Sequence, residues 1–289
     1  MPPTSLDPAL RLALSRWTVG AAVIRYTAHL PDSAFFAEQR PFAPGPPPLR
    51  RRRTGDPAPA PRRTARRVRA LKALTLAAVG TWTAGIAPRT SGVVATGAFA
   101  LLNREVAYGL PGFAGYTSHL NIMLATLAAG DTHRRLSLAR PRPDTPGQAR
   151  LRAAQTALAQ LFVATVYTQS GLSKLLHAGS HWIKDATTLR HALALYGTPA
   201  GRALGRREDL MPVLSAAAVA FEAGFLPVLV LVPRARPLLG LAALAFHGTV
   251  KKTMDISFWH LAWLNAPLFL DVPRALARIA VDTDPRPNG

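Results

Sequence analysis

Met211-Pro-Val-Leu-Ser-Ala-Ala-Ala-Val-Ala-Phe-Glu222-Ala-Gly-Phe-Leu-Pro227-Val-Leu-Val-Leu-Val-Pro233 runs for 23 residues with one charge, Glu222. About 20 mostly apolar residues are enough for a helix to cross the hydrocarbon core of a bilayer. The stretch therefore reads as a membrane span carrying a carboxylate in its middle. Outward from it, Ala153–Ser173 has 21 residues without a formal charge and Val106–Gly130 has 25. Shorter apolar runs occupy Ala73–Pro88, Thr90–Asn103, Pro237–Val250 and Ile256–Leu270. A weaker one, Leu10–Leu30, is interrupted by Arg11, Arg16 and Arg25.

These runs predict an all-α, polytopic transmembrane helix bundle of about seven or eight spans, multi-pass in the cell membrane, with the lipid bilayer as its first partner. Abundant Gly and Ala within the runs suit close helix packing in lipid. Pro111, Pro212 and Pro227 predict local kinks. The chain divides into a transmembrane domain over 1–272 and a short tail over 273–289.

The rest of the composition agrees. Charged residues make up 17% of the chain, below the usual quarter, and hydrophobic residues 49%. Heavy use of Ala, Arg and Pro matches a GC-rich bacterial genome. The net charge of +20 lies in loops between apolar runs, which argues against a nucleic-acid binder. The chain has no Cys, so disulfides, thiolate metal sites and cysteine nucleophiles are excluded. No basic segment precedes an apolar one at the N-terminus, so no cleavable signal is expected. Pro41–Arg69 carries eight Pro and nine Arg and reads as a disordered basic linker. Such a loop usually stays cytoplasmic and is attracted to anionic headgroups. It lacks the interleaved aromatics that would stack bases. A second basic loop, Asp131–Arg152, holds six Arg. If three crossings separate the two loops, they lie on opposite faces.

Charged groups inside apolar segments cost about 2.5–3.5 kcal/mol on insertion scales, so they are the candidates for chemistry. Lys174 follows Tyr167 and Gly171 at helical offsets that put all three on one face. The chain has 30 Arg and 5 Lys, yet uses Lys here. A desolvated Lys can act as a base near neutral pH, whereas Arg cannot lose its proton in a protein. The plainer alternative is a Lys that reaches from a helix end to the interface. Glu222 must be protonated or paired, as a proton carrier, as a partner for Lys174 or a histidine, or as an interhelix tie. His247 stacks four residues before Lys251. His119 and His133 flank one span. His177 and His181 have helical metal-ligand spacing without a third ligand, and no metal is expected. Metalloprotease, P-loop and nucleophile-elbow signatures are absent from the sequence.

Ser170-Gly-Leu-Ser-Lys174-Leu175, with Trp182 beyond it, resembles the Gly-x-x-Lys-Leu…Trp stretch of the HTTM (horizontally transferred transmembrane) family. That family includes the membrane part of vitamin K-dependent γ-carboxylase. Phe221–Pro227 and Phe246-His247 resemble the family's Glu-Gly-Phe-Pro and Phe-His stretches, and Ser118-His119-Leu fits its layout. The resemblance covers Leu10 to about Asp271. It implies an all-α membrane bundle in which Lys174 deprotonates a reduced quinone, as lyase and oxidoreductase chemistry of the γ-carboxylase kind. It places His133 at a functionally important histidine, and Glu222 and His247 as groups that tune or relay protons. Ser173 stands where the carboxylase has a second Lys, and the carboxylase's large soluble substrate domain has no counterpart here. Three expectations result: an enzyme with Lys174 as general base on a lipid-soluble quinone or a peptide; a non-catalytic partner for maturation or export of a secreted peptide; and a transporter with Glu222 as coupling carboxylate.

Overall fold

The computed structural model describes residues 7–39, 61–109, 114–138 and 145–270. Among the described residues there are eleven α-helices and no strand, so the all-α expectation holds. In chain order the helices are α1 (Pro8–Ala28), α2 (Ser33–Gln39), α3 (Pro61–Thr83), α4 (Pro88–Gly109), α5 (Ala114–Ala128), α6 (Pro146–Ile183), α7 (Thr187–Tyr196), α8 (Pro199–Gly205), α9 (Met211–Leu231), α10 (Arg236–Met254) and α11 (Trp259–Phe269). They form two compact units, one over Pro8–Gln155 and one from Thr156 onward.

The apolar runs set the helices, but their ends differ from those the sequence predicts. The run Val106–Gly130 is divided between α4, which ends at Gly109, and α5, which begins at Ala114. Pro111 and Gly112 stand between them in sequence, outside the described residues. Pro61–Arg69, assigned to the linker by composition, is the first part of α3; Pro61 can open a helix because a first-turn N–H needs no partner. For the same reason Pro212 sits in the first turn of α9 and kinks nothing, whereas Pro227 lies inside that helix. The helix carrying Lys174 does not stop near Gly171. It continues to Ile183, with a break at Ala178 (φ −150°, ψ 30°). The remainder of the linker, 41–60, and the tail 273–289 fall outside the described residues.

One described helix, Met211–Leu231, is long and apolar enough to cross a membrane. Three of the others fall short for visible reasons. The apolar stretch of α4 is bounded by Arg89 and Arg104-Glu105, α5 has 15 residues, and α11 has 11.

In the N-terminal unit, Leu30, Phe36, Val68, Leu102 and Val106 form a core joined by Tyr26, Phe35 and Leu71. Arg16 of α1 is wholly buried. Its guanidinium donates to the carbonyls of Thr132 (2.8 Å), Arg135 (3.3 Å) and Leu136, and Trp17 Nε1 donates to Leu136 O at 3.0 Å. The segment after α5 is thus held against α1. It also meets the α3–α4 turn: Leu138 N–H donates to Ala84 O at 2.9 Å, and Ser137 Oγ to Gly85 O at 3.2 Å. Gly85 has φ +75° and Ser137 occupies the space a Cβ would need there, so only glycine fits.

In the C-terminal unit, Ala186, Leu193 and Met211 form a small core with Leu189, Leu204 and Met254. Thr198 caps α8 by accepting from Gly201 N–H (3.1 Å) and ties it to the end of α10 by donating to Lys252 O (2.9 Å).

Candidate functional site

The residues that the sequence marks for chemistry in the C-terminal unit lie on α6, α9 and α10. Lys174 Nζ pairs with Glu222 Oε2 and donates to Ser170 Oγ at 3.2 Å. Ser170 Oγ in turn donates to Glu222 Oε1 at 3.2 Å. The three side chains form a closed triangle, with both carboxylate oxygens and the ammonium accounted for. Glu222 is nearly fully buried, its side chain 6% exposed, while that of Lys174 is 21% exposed. The ammonium also lies 5.0 Å from the centre of the Trp182 ring, within cation–π range. Trp182 follows the break at Ala178.

The pairing depends on a close approach of two helices. A Cβ at Gly171 would collide with the backbone of Glu222 and Ala223, so Gly171 is what lets α6 lie directly on α9. Pro227 has no N–H and its ring crowds the carbonyl four residues back. In that region Thr168 Oγ1 accepts from Leu226 N–H at 3.1 Å, an interhelix bond that supports the backbone of α9.

One turn before Gly171, Tyr167 of α6 is buried in a second polar group. Its hydroxyl is 2.6 Å from His247 Nε2 of α10 and accepts from Asn265 Nδ2 of α11 at 2.8 Å. Asn265 Nδ2 also donates to Leu261 O at 2.7 Å. Asn265 uses one lone pair of the hydroxyl, and the Tyr167–His247 bond runs from ring to hydroxyl when the ring proton is on Nε2 and from hydroxyl to ring when it is on Nδ1. That Nδ1 and Asn265 Oδ1 are buried without a hydrogen-bond partner. Aromatic rings enclose the group. Tyr167 stacks on Phe225 with centroids 4.5 Å apart and meets Phe221 edge-on at 5.6 Å. Phe258 lies 5.7 Å from His247.

Of the four residues expected to act together, the structure joins Lys174 and Glu222 directly. It places His247 on Tyr167, the residue that shares a helical face with Lys174. His247 does not pair with Lys251, which binds Asp255 instead. His133 belongs to the N-terminal unit. There its Nε2 is 3.4 Å from Asp131 Oδ1, and Asp131 also holds Arg134 (2.6 Å) and Arg152 (3.1 Å). Partial burial holds the His133 ring below its ordinary pKa. The charge of Asp131 opposes that shift, and Arg134, Arg16 and Arg89 add to it. His119 also lies in this unit, on α5.

Sequence reasoning missed Ser170, Asn265 and the role of Tyr167. The signals were present: Asn265 is the lone amide in the apolar run Ile256–Leu270, and Tyr167 and Ser170 precede Lys174 by seven and four residues. Among the described residues no group of three or more His, Asp or Glu side chains is placed to hold a metal ion. His177 Nδ1 instead lies 2.9 Å from Ser173 O, and His181 Nδ1 lies 3.5 Å from Asp185 Oδ2. Set against family models, curated proteins and solved structures, the chain matches none.

Proposed function

We propose that the chain is a multi-pass membrane protein of the HTTM type, in which Lys174 is the general base toward a lipid-soluble hydroquinone or a peptide. Glu222 is the group with which Lys174 exchanges the proton. The observation that carries this reading is the triangle of Lys174, Glu222 and Ser170, buried on its carboxylate side and open on its amine side. In the tautomer with the proton on Glu222, Lys174 is a neutral amine and can accept a proton from an acid that reaches it. A hydroquinone, when bound, supplies a phenolic hydroxyl whose loss of a proton makes its ring easy to oxidise. The residues present fit such a group: an amine and a carboxylate stand beside Trp182, and α6 and α9 bring Tyr167, Phe221 and Phe225 together next to them.

The membrane part of the proposal is supported by the outward faces of helices other than α9. Leu172 and Leu176 on α6 and Leu238 and Leu241 on α10 are exposed, Leu176 to 79%. Apolar side chains in such number on adjoining helices are expected against lipid and unexpected against water. The full count of seven or eight crossings rests on these outward faces together with the apolar runs of the sequence.

The test is oxidation of a naphthohydroquinone by the purified chain in proteoliposomes, followed by oxygen consumption. Lys174→Ala and Lys174→Arg should both abolish turnover, because Arg preserves the charge and the contact with Glu222 but cannot give up its proton. Full turnover by Lys174→Arg would exclude a base at this position.

A second reading, a non-catalytic partner in maturing or exporting a secreted peptide, is favoured by the internal satisfaction of the triangle and by Gly171, which together make a sound interhelix tie. Under that reading Lys174→Arg is tolerated and a peptide or protein co-purifies with the wild-type chain.

A further inference from the structure

The described parts of the two basic segments of the N-terminal unit, the start of α3 and Asp131–Leu138, lie at opposite ends of it. The start of α3 is at the same end as the close of α1 and of α4: Lys72 Nζ donates to Leu30 O at 3.0 Å, and Arg67 pairs with Glu105 at 3.2 Å. The segment Asp131–Leu138 is at the other end, on the α3–α4 turn. The ends treat their cations differently. At the second, Arg16 and Arg152 are buried and Arg134 is half-buried, all three bound by main-chain carbonyls, Gln148 or Asp131, while Arg89 and Arg135 are exposed without sharing a helical face. At the first, Arg62, Arg66 and Arg69 recur at helical offsets of four and three, share one face of α3, and are exposed.

Asp32, just before α2, feels the charge of Arg69, but nothing within α3 offsets the stripe. Cations near a helix N-terminus oppose its dipole, and the first turn of α3 has no acidic residue to offset them. Beyond the stripe the surface turns apolar: Leu74 on α3, Leu101 and Val94 on α4, and Ile122 on α5 are all exposed. A row of arginines bordering an exposed apolar band matches the boundary between headgroups and hydrocarbon, a feature that neither a nucleic acid nor an acidic soluble protein presents.

We propose that Arg62, Arg66 and Arg69 form a docking surface for the anionic headgroups of a phospholipid leaflet. This end of the unit then faces the cytoplasm, and the end bearing Gly85 and Asp131–Leu138 faces the opposite side. The inference rests on the membrane reading above.

The absence of Cys from the chain makes single-cysteine labelling clean. Ala70→Cys next to the stripe and Ile86→Cys at the α3–α4 turn, both exposed positions, are treated with a membrane-impermeant maleimide in intact cells. The full chain should label at Ile86→Cys at once, and at Ala70→Cys only after permeabilisation. The reverse pattern overturns the orientation and leaves the membrane reading standing. Labelling of both in membrane vesicles of either sidedness, with release of the protein by alkaline carbonate, sinks the membrane reading itself. For the lipid contact, the full chain carrying an environment-sensitive dye at Ala70→Cys is placed in nanodiscs of phosphatidylcholine with or without phosphatidylglycerol. The dye should respond to phosphatidylglycerol and the response should fade in high salt. No response overturns the docking surface without any need for a variant. Arg62→Gln/Arg66→Gln/Arg69→Gln should weaken the preference for phosphatidylglycerol on the order of a hundred-fold, and the corresponding Lys triple should retain most of it.

Discussion

Arg16 and Lys174 are both cations in apolar helices, and the protein accommodates them in opposite ways. Arg16 has no exposed surface and gives its guanidinium to three main-chain carbonyls. No carboxylate answers it at those three bonds, and a guanidinium keeps its proton. Lys174 is one-fifth exposed and meets a carboxylate and a hydroxyl, two groups through which a proton can move. Burial of a charge therefore does not by itself mark a working site. The partner's ability to exchange a proton, and a route to the outside, separate Arg16 from the site proposed at Lys174.

The comparison breaks most visibly at Arg16. Arg16→Leu leaves three carbonyls without their donor and should cost about 3–5 kcal/mol, read as a lowered unfolding temperature in detergent. A wild-type melting curve would show that the clamp on the segment after α5 is incidental. Next in size is Gly171→Val, which forces α6 off the backbone of α9 and should cost about 1–3 kcal/mol. If α9 moves away as expected, the variant also loses the turnover assigned to Lys174, even though Lys174 and Glu222 are both intact. Smaller again is Glu222→Gln, which leaves Lys174 without its counter-charge, at about 1–2 kcal/mol because the amine can turn outward. The double variant Lys174→Met/Glu222→Leu should recover most of that stability, since an apolar pair of similar volume often replaces a buried ion pair without loss. A double variant as unstable as the single one would mean that the pair holds the helices together rather than merely satisfying each other's charge.

The smallest effect concerns His133. Its pKa is lowered in the folded chain, so below the ordinary histidine range the unfolded chain binds a proton that the folded chain resists. Stability contributed by neutral His133 is therefore present at neutral pH and falls as the pH drops through that range. Unfolding temperatures at neutral and mildly acidic pH should converge for wild type and His133→Asn on the acidic side if this holds. An unchanged difference between them would remove His133 from the acid response.

Much of this was open to reading in the sequence, and the gaps have physical causes. Long uncharged runs gave the helices, because nothing in 21 residues such as Ala153–Ser173 offers a turn. The ends went astray where proline was read as a breaker, since Pro61 and Pro212 open helices rather than bend them. The rarity of Lys pointed to Lys174, and the mid-span position of Glu222 pointed to a partner for it. The pairing itself needed Gly171, whose meaning depends on which helix lies opposite. Asn265 stands out as the lone amide of its apolar run, but the run does not say what the amide meets, and its partner Tyr167 is 98 residues away in the chain. His133 was marked by its place at the end of an apolar run and by the family resemblance, and its observed neighbours are Asp131 and Arg134 of its own loop with Arg16 and Arg89.

The break at Ala178 has an optical consequence. It sets Trp182 against the ammonium of Lys174, so the indole sits in the field of a charge that the proposed chemistry switches off. In a chain whose other four tryptophans are replaced by phenylalanine, the emission of Trp182 becomes a gauge of the protonation of Lys174. It reports from inside the protein, with no dye and no knowledge of the substrate.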